Sequence, residues 1–584
     1  MKTPLSKISD PGETKLKSIL KFASFLFSAP GFGVLKRTVA KFLQGRGIIK
    51  QHKPDYNDWI KAKLDAAILK KDFDTVYPTF KIKPVIKIVV PVPDPHTEHA
   101  QATMDSISAQ YYLHCYEVLM ADAPLEKDIL KDHRVNKDGT YSVDYIFFTK
   151  QDCLLTPNCL FEFVKHINVY PEHDLIYADD DVVDEHGSFR DPHFKPAWSP
   201  DNLLSRNYIG NTFLVRKTVL MGLKGLPRDY EYNNVYDLIL RITEVTNKIG
   251  HIPKVLVHNR PTQTSPVKHA AAKRAIKDAL VRRSLAAEVY DFPGLSEVFQ
   301  VSYEVRFFGK VSIIIPSKDN TELLRTALSS IIQNTKYPDY EIIVLDNNST
   351  SIEFAELMKE YTSKHAAKFR CIGARFPFNF AKLMNLGAAQ AKGSYILMCN
   401  NDIEVTHADW MTQTVSYAQQ EKTGAVGVKL LYTDGTIQHA GIVSTANGDT
   451  GHVFVNMDKD APGYMNNLRS VTNYSAVTAA CLMCRKKVYT EAGGMDESLA
   501  VEYNDVDLCL KFGALGYSNV YLPSVELFHH ESATRGHPFR SKESWQQHEK
   551  ELAIFRSKWP DFLECDPFYS RYLALDGSFR AIGT

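Results

Sequence analysis

The sequence predicts an α/β protein with two tandem domains, each built on a mostly parallel sheet, behind a basic helical leader. Three observations carry that prediction. Short apolar runs that end in Pro or Asp alternate with stretches of helical spacing, which is the grammar of βαβ units. The same order of runs occurs twice, and a repeat of this length points to a duplicated domain. The first fifty or so residues differ in composition from everything after them.

Taken in order, residues 1–53 form the leader. Lys15, Lys17, Lys21, Lys36, Arg37, Lys41, Arg46 and Lys50 are mixed there with Ile19, Leu20, Phe22, Phe25, Leu26 and Phe27, and acids are few. Such a mixture suits a helix lying on an anionic membrane surface. It equally suits a helix packed on the first domain. Lys21 interrupts the most apolar piece, which argues against a signal peptide. No run of ~20 apolar residues exists to span a bilayer.

Residues 54–300 make the first domain. A helical lead-in over 54–80 precedes strands Val85–Val90, Tyr116–Met120 and Tyr145–Thr149, with a helix over Ala100–Gln110. Residues 301–584 repeat the pattern with strands Val311–Ile315, Glu341–Leu345 and Tyr395–Cys399 and a helix over Leu323–Asn334. From the strand-ending Pro to the next strand-ending Asp is 31 residues in the first copy (91 to 122) and 30 in the second (316 to 346). Further on, Val235-Tyr-Asp-Leu-Ile-Leu-Arg241 parallels Asp505-Val-Asp-Leu-Cys-Leu-Lys511, and Val255–His258 parallels Val525–His529. The boundary between copies falls near 295–310, after the Lys/Arg/Ala-rich helical segment Val267–Ala287 and Pro293-Gly294.

Composition narrows the function. Lys+Arg 69 against Asp+Glu 68 gives a net charge of +1, so no global field points to nucleic acid. Nine scattered cysteines in a long chain suit a reducing compartment rather than a disulfide framework. Cys481-Leu-Met-Cys484 has no second pair, and buried packing is its better reading.

The tip Asn400-Asn401-Asp402 follows the buried run Tyr395–Cys399 at once. In parallel sheets ligands bind at the carboxyl ends of the strands. A carboxylate there can bridge a hard divalent cation to a diphosphate, although Asn-Asn-Asp is also good turn chemistry. Asp505 and Asp507 could each merely charge the first turn of a helix. Asp179-Asp180-Asp181 reads as a solvated turn leading to Glu185-His186-Gly187, with a metal tip as the weaker alternative.

The second copy, from Val311 to about Gly536, resembles the inverting glycosyltransferases of family 2, with the Rossmann-like GT-A fold. Val-Ser-Ile-Ile-Ile-Pro-Ser-Lys-Asp, Glu-Ile-Ile-Val-Leu-Asp-Asn-Asn-Ser-Thr, Asn-Asn-Asp, Asp-Gly-Thr-Ile-Gln-His-Ala-Gly, Asn-Asp-Val-Asp-Leu-Cys-Leu and His-His-Glu-Ser-Ala-Thr-Arg-Gly carry the resemblance. The first copy resembles the companion domain of tandem bacterial members, best in residues 191–210.

The resemblance implies roles. Pro316, Ser317, Asp346, Asn347 and Asn401 would line the donor nucleotide site, with Arg535 adding charge at the diphosphate. Asp402 and His529 would hold Mn²⁺ or Mg²⁺, with His530 as a substitute for His529. Asp505 would be the catalytic base, and Asp507 an orienting neighbour. Tyr474, Thr478 and Ala479 would floor the acceptor site. In the first copy the tip reads Lys150-Gln151-Asp152 and the base position is Val235, which implies a degenerate domain. The expected activity is metal-dependent transfer of a sugar from a nucleotide-sugar donor to a glycan or lipid-linked saccharide, in bacterial surface polysaccharide or O-antigen assembly. The expected place is the cytoplasm, peripheral on the inner face of the cytoplasmic membrane. Two alternatives stay open: a bifunctional enzyme with both domains active, and a non-catalytic glycan- or nucleotide-binding scaffold.

Overall fold

Two large mixed sheets of matching topology form the centre of the protein. The computed structural model describes residues 55–91, 97–112, 115–121, 129–130, 143–223, 225, 234–261, 265–446, 448–530 and 542–581. The leader 1–53 and Arg535 lie outside these residues. Ile60–Ala581 forms one compact unit, and both sheets belong to it.

The first sheet contains β1 (Ile86–Pro91), β2 (Cys115–Ala121), β3 (Tyr145–Phe148), β4 (Cys153–Leu155), β5 (Leu175–Val183), β6 (Phe189–His193), β7 (Phe213–Arg216) and β8 (Ile249–Asn259). Its order is β2-β1-β3-β7-β5-β8-β4, with β6 paired to β5. A hairpin, β9 (Ala287–Asp291) and β10 (Phe299–Tyr303), then leads to the second copy.

There follow β11 (Val311–Ser317), β12 (Tyr340–Asp346), β13 (Phe369–Gly373), β14 (Tyr395–Cys399), β15 (Ile403–Val405), β16 (Thr423–Leu431) and β17 (Ile437–His439). A second hairpin, β18 (Ile442–Thr445) and β19 (Asp449–His452), precedes β20 (Thr472–Tyr474), β21 (Cys481–Arg485) and β22 (Ser518–His529). The order is β13-β12-β11-β14-β21-β16-β22-β15, with β17 on β16 and β20 on β22. Strand for strand this is the first sheet with β13 and β20 added. Parallel pairing is confined to the β1–β3 and β11–β14 ends and to β5·β8 and β16·β22. The strands between return antiparallel, which the alternating sequence pattern does not announce.

The registers also correct one pairing of the copies. In the second, β15 meets β22 with Ile403 opposite His529. In the first, β4 meets β8 with Cys153 opposite Asn259. Asn259, not His258, therefore stands where His529 does. The offset of one residue turns His258 to the other face. There His258 Nδ1 lies 2.6 Å from Asp181 Oδ1, both buried.

The acidic triplet is likewise not a solvated turn. Asp179, Asp180 and Asp181 are inside β5, paired respectively with His251 (2.7 Å), Lys195 (2.6 Å) and His258. Buried carboxylates need such partners, and these partners sit on β8 and in the segment after β6.

One apolar cluster runs from Val89, Phe148 and Tyr177 through the hairpin residues Val289 and Phe299 into Ile313, Val344, Leu397 and Leu527. The copies thus share a core. A buried polar seam also joins them. Asn202 Nδ2 donates to Val471 O (2.9 Å) and Thr472 Oγ1 (3.0 Å), Asn473 Oδ1 accepts from Ser199 Oγ (2.9 Å), and Arg206 donates to Asn467 Oδ1 (2.9 Å). Residues 191–210, the best signature of the first copy, supply its whole side of this seam.

Candidate functional site

Three strand ends lie side by side: β12 at Asp346, β11 at Ser317 and β14 at Cys399. Each strand is buried almost to its last residue, so its first polar side chains emerge together at one sheet edge. Ser317 is the hub. Its carbonyl accepts from Asn347 N (2.8 Å) and its Oγ from Asn401 Nδ2 (3.2 Å). Asp346 Oδ1 accepts from Ser349 N (2.8 Å). Asn347 is buried, and its amide donates to Ala374 O (2.9 Å) and Phe376 O (2.8 Å), so this side chain fixes the loop after β13.

Past the tip, Asp402 is 7% exposed. Because β15 pairs with the end of β22, His529 Nε2 comes to 3.2 Å from Asp402 Oδ1, and Asn400 Nδ2 to 3.3 Å from the same nitrogen. Asp402 Oδ1 and His529 Nδ1 are buried without a hydrogen-bond donor or acceptor of good geometry. Buried polar atoms left in this state are exceptional. A carboxylate oxygen and an imidazole nitrogen are a donor set that suits a divalent cation. Among the described residues no group of three His, Cys, Asp or Glu side chains is arranged to hold a metal, so a cation here would take its other ligands from substrate or water. His530 turns away and pairs with Glu404 (2.8 Å), which leaves His529 as the histidine at the tip.

Asp505 is the second residue of the helix Asn504–Ala514. Its Oδ2 accepts from Ala479 N (3.0 Å) and its Oδ1 from Val506 N (2.9 Å). The neighbouring Ala480 O accepts from Asn400 N (2.9 Å). One short loop therefore bonds both the Asp505 carboxylate and the Asp402 tip, although the two acids are 103 positions apart in sequence. Asp507 is buried and bound by Lys511 (3.0 Å), Lys558 and Trp559 Nε1 (2.9 Å). It anchors the helix, which leaves Asp505 as the acid facing the loop.

The three residues expected at the acceptor floor are all buried and differ in what surrounds them. Tyr474 is 1% exposed, and its ring fills the space beside Gly441, so it is a packing residue. Thr478 and Ala479 are in the loop that reaches Asp505, and both are largely buried. Thr478 N donates to His439 Nε2 (3.4 Å). Burial, with His452 and His529 nearby, holds the His439 ring well below its ordinary pKa and so keeps it neutral. Sequence reasoning gave His439 no role, although it stands in the quoted Asp-Gly-Thr-Ile-Gln-His-Ala-Gly motif.

In the first copy the equivalent positions hold Lys150-Gln151-Asp152, Asn259 and Val235. Burial lowers the Lys150 pKa. Val235 is packed against the core. Neither the histidine nor the second carboxylate is present.

Residues 312–490 match the family described as glycosyl transferase family 2. The chain is 32% identical over 528 residues to an uncharacterized protein, y4gI, of Sinorhizobium fredii, covering 84% of this chain and 58% of that one. It is 32% identical over 514 residues to the O-antigen biosynthesis protein RfbC of Myxococcus xanthus, covering 82% of this chain and 40% of that one. The chain thus spans about half the length of the curated relatives it matches. Among solved structures it is similar to GalNAc-T7 with UDP, GalNAc and Mn²⁺, at 15% identity and a TM-score of 0.37, covering 52% of this chain and 59% of that one.

Proposed function

We propose, given that residues 312–490 belong to glycosyl transferase family 2, that this chain is an inverting, metal-dependent glycosyltransferase. The donor is a nucleotide sugar and the acceptor a glycan, in the lipid-linked form used for bacterial surface polysaccharide. The similarity to an O-antigen biosynthesis protein supports the setting. The observation that carries the reading is the loop whose Ala479 N–H holds Asp505 and whose Ala480 carbonyl holds the Asp402 tip.

In the reaction, Asp505 takes the proton of the acceptor hydroxyl as that oxygen bonds to the anomeric carbon. The anomeric C–O bond to the diphosphate breaks on the opposite face, and its electron pair leaves with the nucleoside diphosphate. The configuration inverts because the displacement is single. General base catalysis of this kind supplies about 10²–10⁴ in rate. Asp402 and His529 would hold Mn²⁺ or Mg²⁺, which supplies Lewis-acid stabilisation of the charge developing on the leaving group. Pro316, Ser317, Asp346 and Asn401 orient the nucleoside at the three strand ends. Thr478 and Ala479 border the acceptor side, and Arg535, outside the described residues, is assigned to the diphosphate.

The division of labour follows: a leader over 1–53 that binds an anionic membrane surface, a non-catalytic copy over 54–300 and the catalytic copy over 301–584. No helix among the described residues is long and apolar enough to cross a membrane, and a peripheral place on the inner face of the cytoplasmic membrane is part of the proposal. The test is slow hydrolysis of a panel of UDP-, GDP- and dTDP-sugars with Mn²⁺, with Mg²⁺ and with chelator. Turnover of one nucleotide class that needs the metal is expected. No turnover of any member, with intact binding, would favour a scaffold.

A further inference from the structure

The C-terminal helix Lys542–Lys558 lies beyond the part of the chain matched by the family model. Its Glu551 is fully buried. Among the described residues no Lys, Arg or His pairs with it. Its partners are instead the backbone of one loop. Oε1 accepts from Ala500 N (3.0 Å) and Val501 N (3.1 Å), while Oε2 accepts from Val501 N (3.1 Å) and Glu502 N (2.6 Å). Gln547 Nε2 completes the set. Taking a carboxylate out of water costs several kcal/mol unless it is bonded throughout. Glu551 meets that condition only because three successive amides converge on it.

The loop it gathers is the one that delivers Asp505. The next residue, Tyr503, has φ 60°, in the left-handed region that bulky side chains rarely enter. Such a conformation persists where its surroundings over-determine it. Here Tyr503 stacks on Phe555 of the same C-terminal helix, and its OH donates to Asp449 Oδ1 (2.9 Å). Immediately after the helix, Trp559, together with Lys558, binds Asp507. The C-terminal segment thus grips the chain on both sides of Asp505, at 500–503 and at 507. Among the described residues, the carboxylate between them has Ala479 N and Val506 N as its hydrogen-bond donors.

We propose that Glu551 is a positioning residue for Asp505: its carboxylate sets the turn from which the catalytic helix starts, and so the aim of the base. The inference rests on the assignment of Asp505 as that base. Misplacing a reacting group by ~1 Å costs on the order of 10² in rate.

The experiment uses the full chain and the nucleotide sugar it hydrolyses from the panel above. Glu551→Gln preserves size but turns an NH₂ group toward the amide donors. It should lower kcat about 10–100-fold, with KM for the nucleotide sugar and binding of the matching nucleoside diphosphate with Mn²⁺ unchanged. Glu551→Asp, which restores the carboxylate, should recover part of kcat. The double variant with Asp505→Asn should be no slower than Asp505→Asn alone, because a residue that acts through another is not additive with it. A folded Glu551→Gln protein with wild-type kcat overturns the proposal. So does a double variant whose costs multiply, or failure of both Glu551 variants to fold, which would make Glu551 a residue of the fold alone. Wild-type rate in Asp505→Asn would instead remove the base assignment itself, whatever Glu551 does.

Discussion

At Asp402 the chemistry is written in what is missing. The buried Asp402 Oδ1 has no hydrogen bond of good geometry at this tip, and His529 Nε2 lies 3.2 Å from it. Asp402→Ala should therefore abolish transfer and weaken metal-dependent nucleotide binding while leaving the fold intact. Full activity in this variant, or in excess chelator, would sink the metal assignment. Asp505→Asn keeps size but carries no basic lone pair at neutral pH. Its transfer rate at saturating donor should fall by about 10²–10⁴. Val235→Ala, at the matching place in the first copy, should leave that rate alone and cost about 1 kcal/mol of stability in a denaturant titration. The placement of Asp402 just past the strand Tyr395–Cys399, and of Asp505 in the first turn of a helix, was legible in the sequence, whereas their roles rest on the resemblance. Side-chain class says nothing about which way a ring turns, and that of Tyr474 turns into the packing beside Gly441. Glu551 gave no signal: its partners are backbone amides some fifty positions upstream, and backbone amides leave no mark in a sequence.

Among the elements, strands ending in Pro or Asp were legible wherever they pair in parallel, and the matching order of the two sheets was legible as a repeat. The histidine at the end of β8 was not. The distances from Val235 to His258 and from Asp505 to His529, 23 and 24 residues, look equivalent, yet one residue decides which face a side chain takes. The turn between β17 and β18 rests on Gly441, at φ 130°, where a Cβ would sit 2.4 Å from the Tyr474 ring. Gly441→Ala should cost roughly 2–5 kcal/mol from backbone strain and overpacking together, measurable by denaturant unfolding. The chain beyond the helix Lys542–Lys558 is fastened by Asp566, which accepts from Ser444 N (2.8 Å) and Ser475 Oγ (2.7 Å). Burial, against these hydrogen bonds, raises its pKa from 3.8 to about 6. The folded protein then holds this proton more tightly than the unfolded chain. Stability from this group is full below pH ~4 and is lost as pH rises to about 6, about 3 kcal/mol in all. Asp566→Asn should flatten that part of the stability–pH curve. An unchanged slope would assign it to other groups.

For the whole molecule, the proposed role of the leader is open to a deletion test. Electrostatic attraction to an anionic surface weakens with salt. Deleting residues 1–50 should release the protein from anionic liposomes at low salt and leave sugar transfer to a soluble acceptor unchanged. If the full chain ignores such liposomes, the leader is structural. The two copies are not separable in this way. The seam from Ser199 to Arg206 against Asn467 to Asn473 buries amides, hydroxyls and a guanidinium that water would otherwise satisfy. Cutting the chain between the copies would expose them on both pieces, together with half of a shared core. Tethering changes what such an interface must achieve. Two free proteins have to find each other against dilution, whereas partners on one chain meet at an effective concentration in the millimolar range. A first copy that does no catalysis, as proposed, would still be needed, because its sister shares a core with it. On that reading the duplication is a dimer made permanent by its own peptide bond, with the first copy serving as a wall.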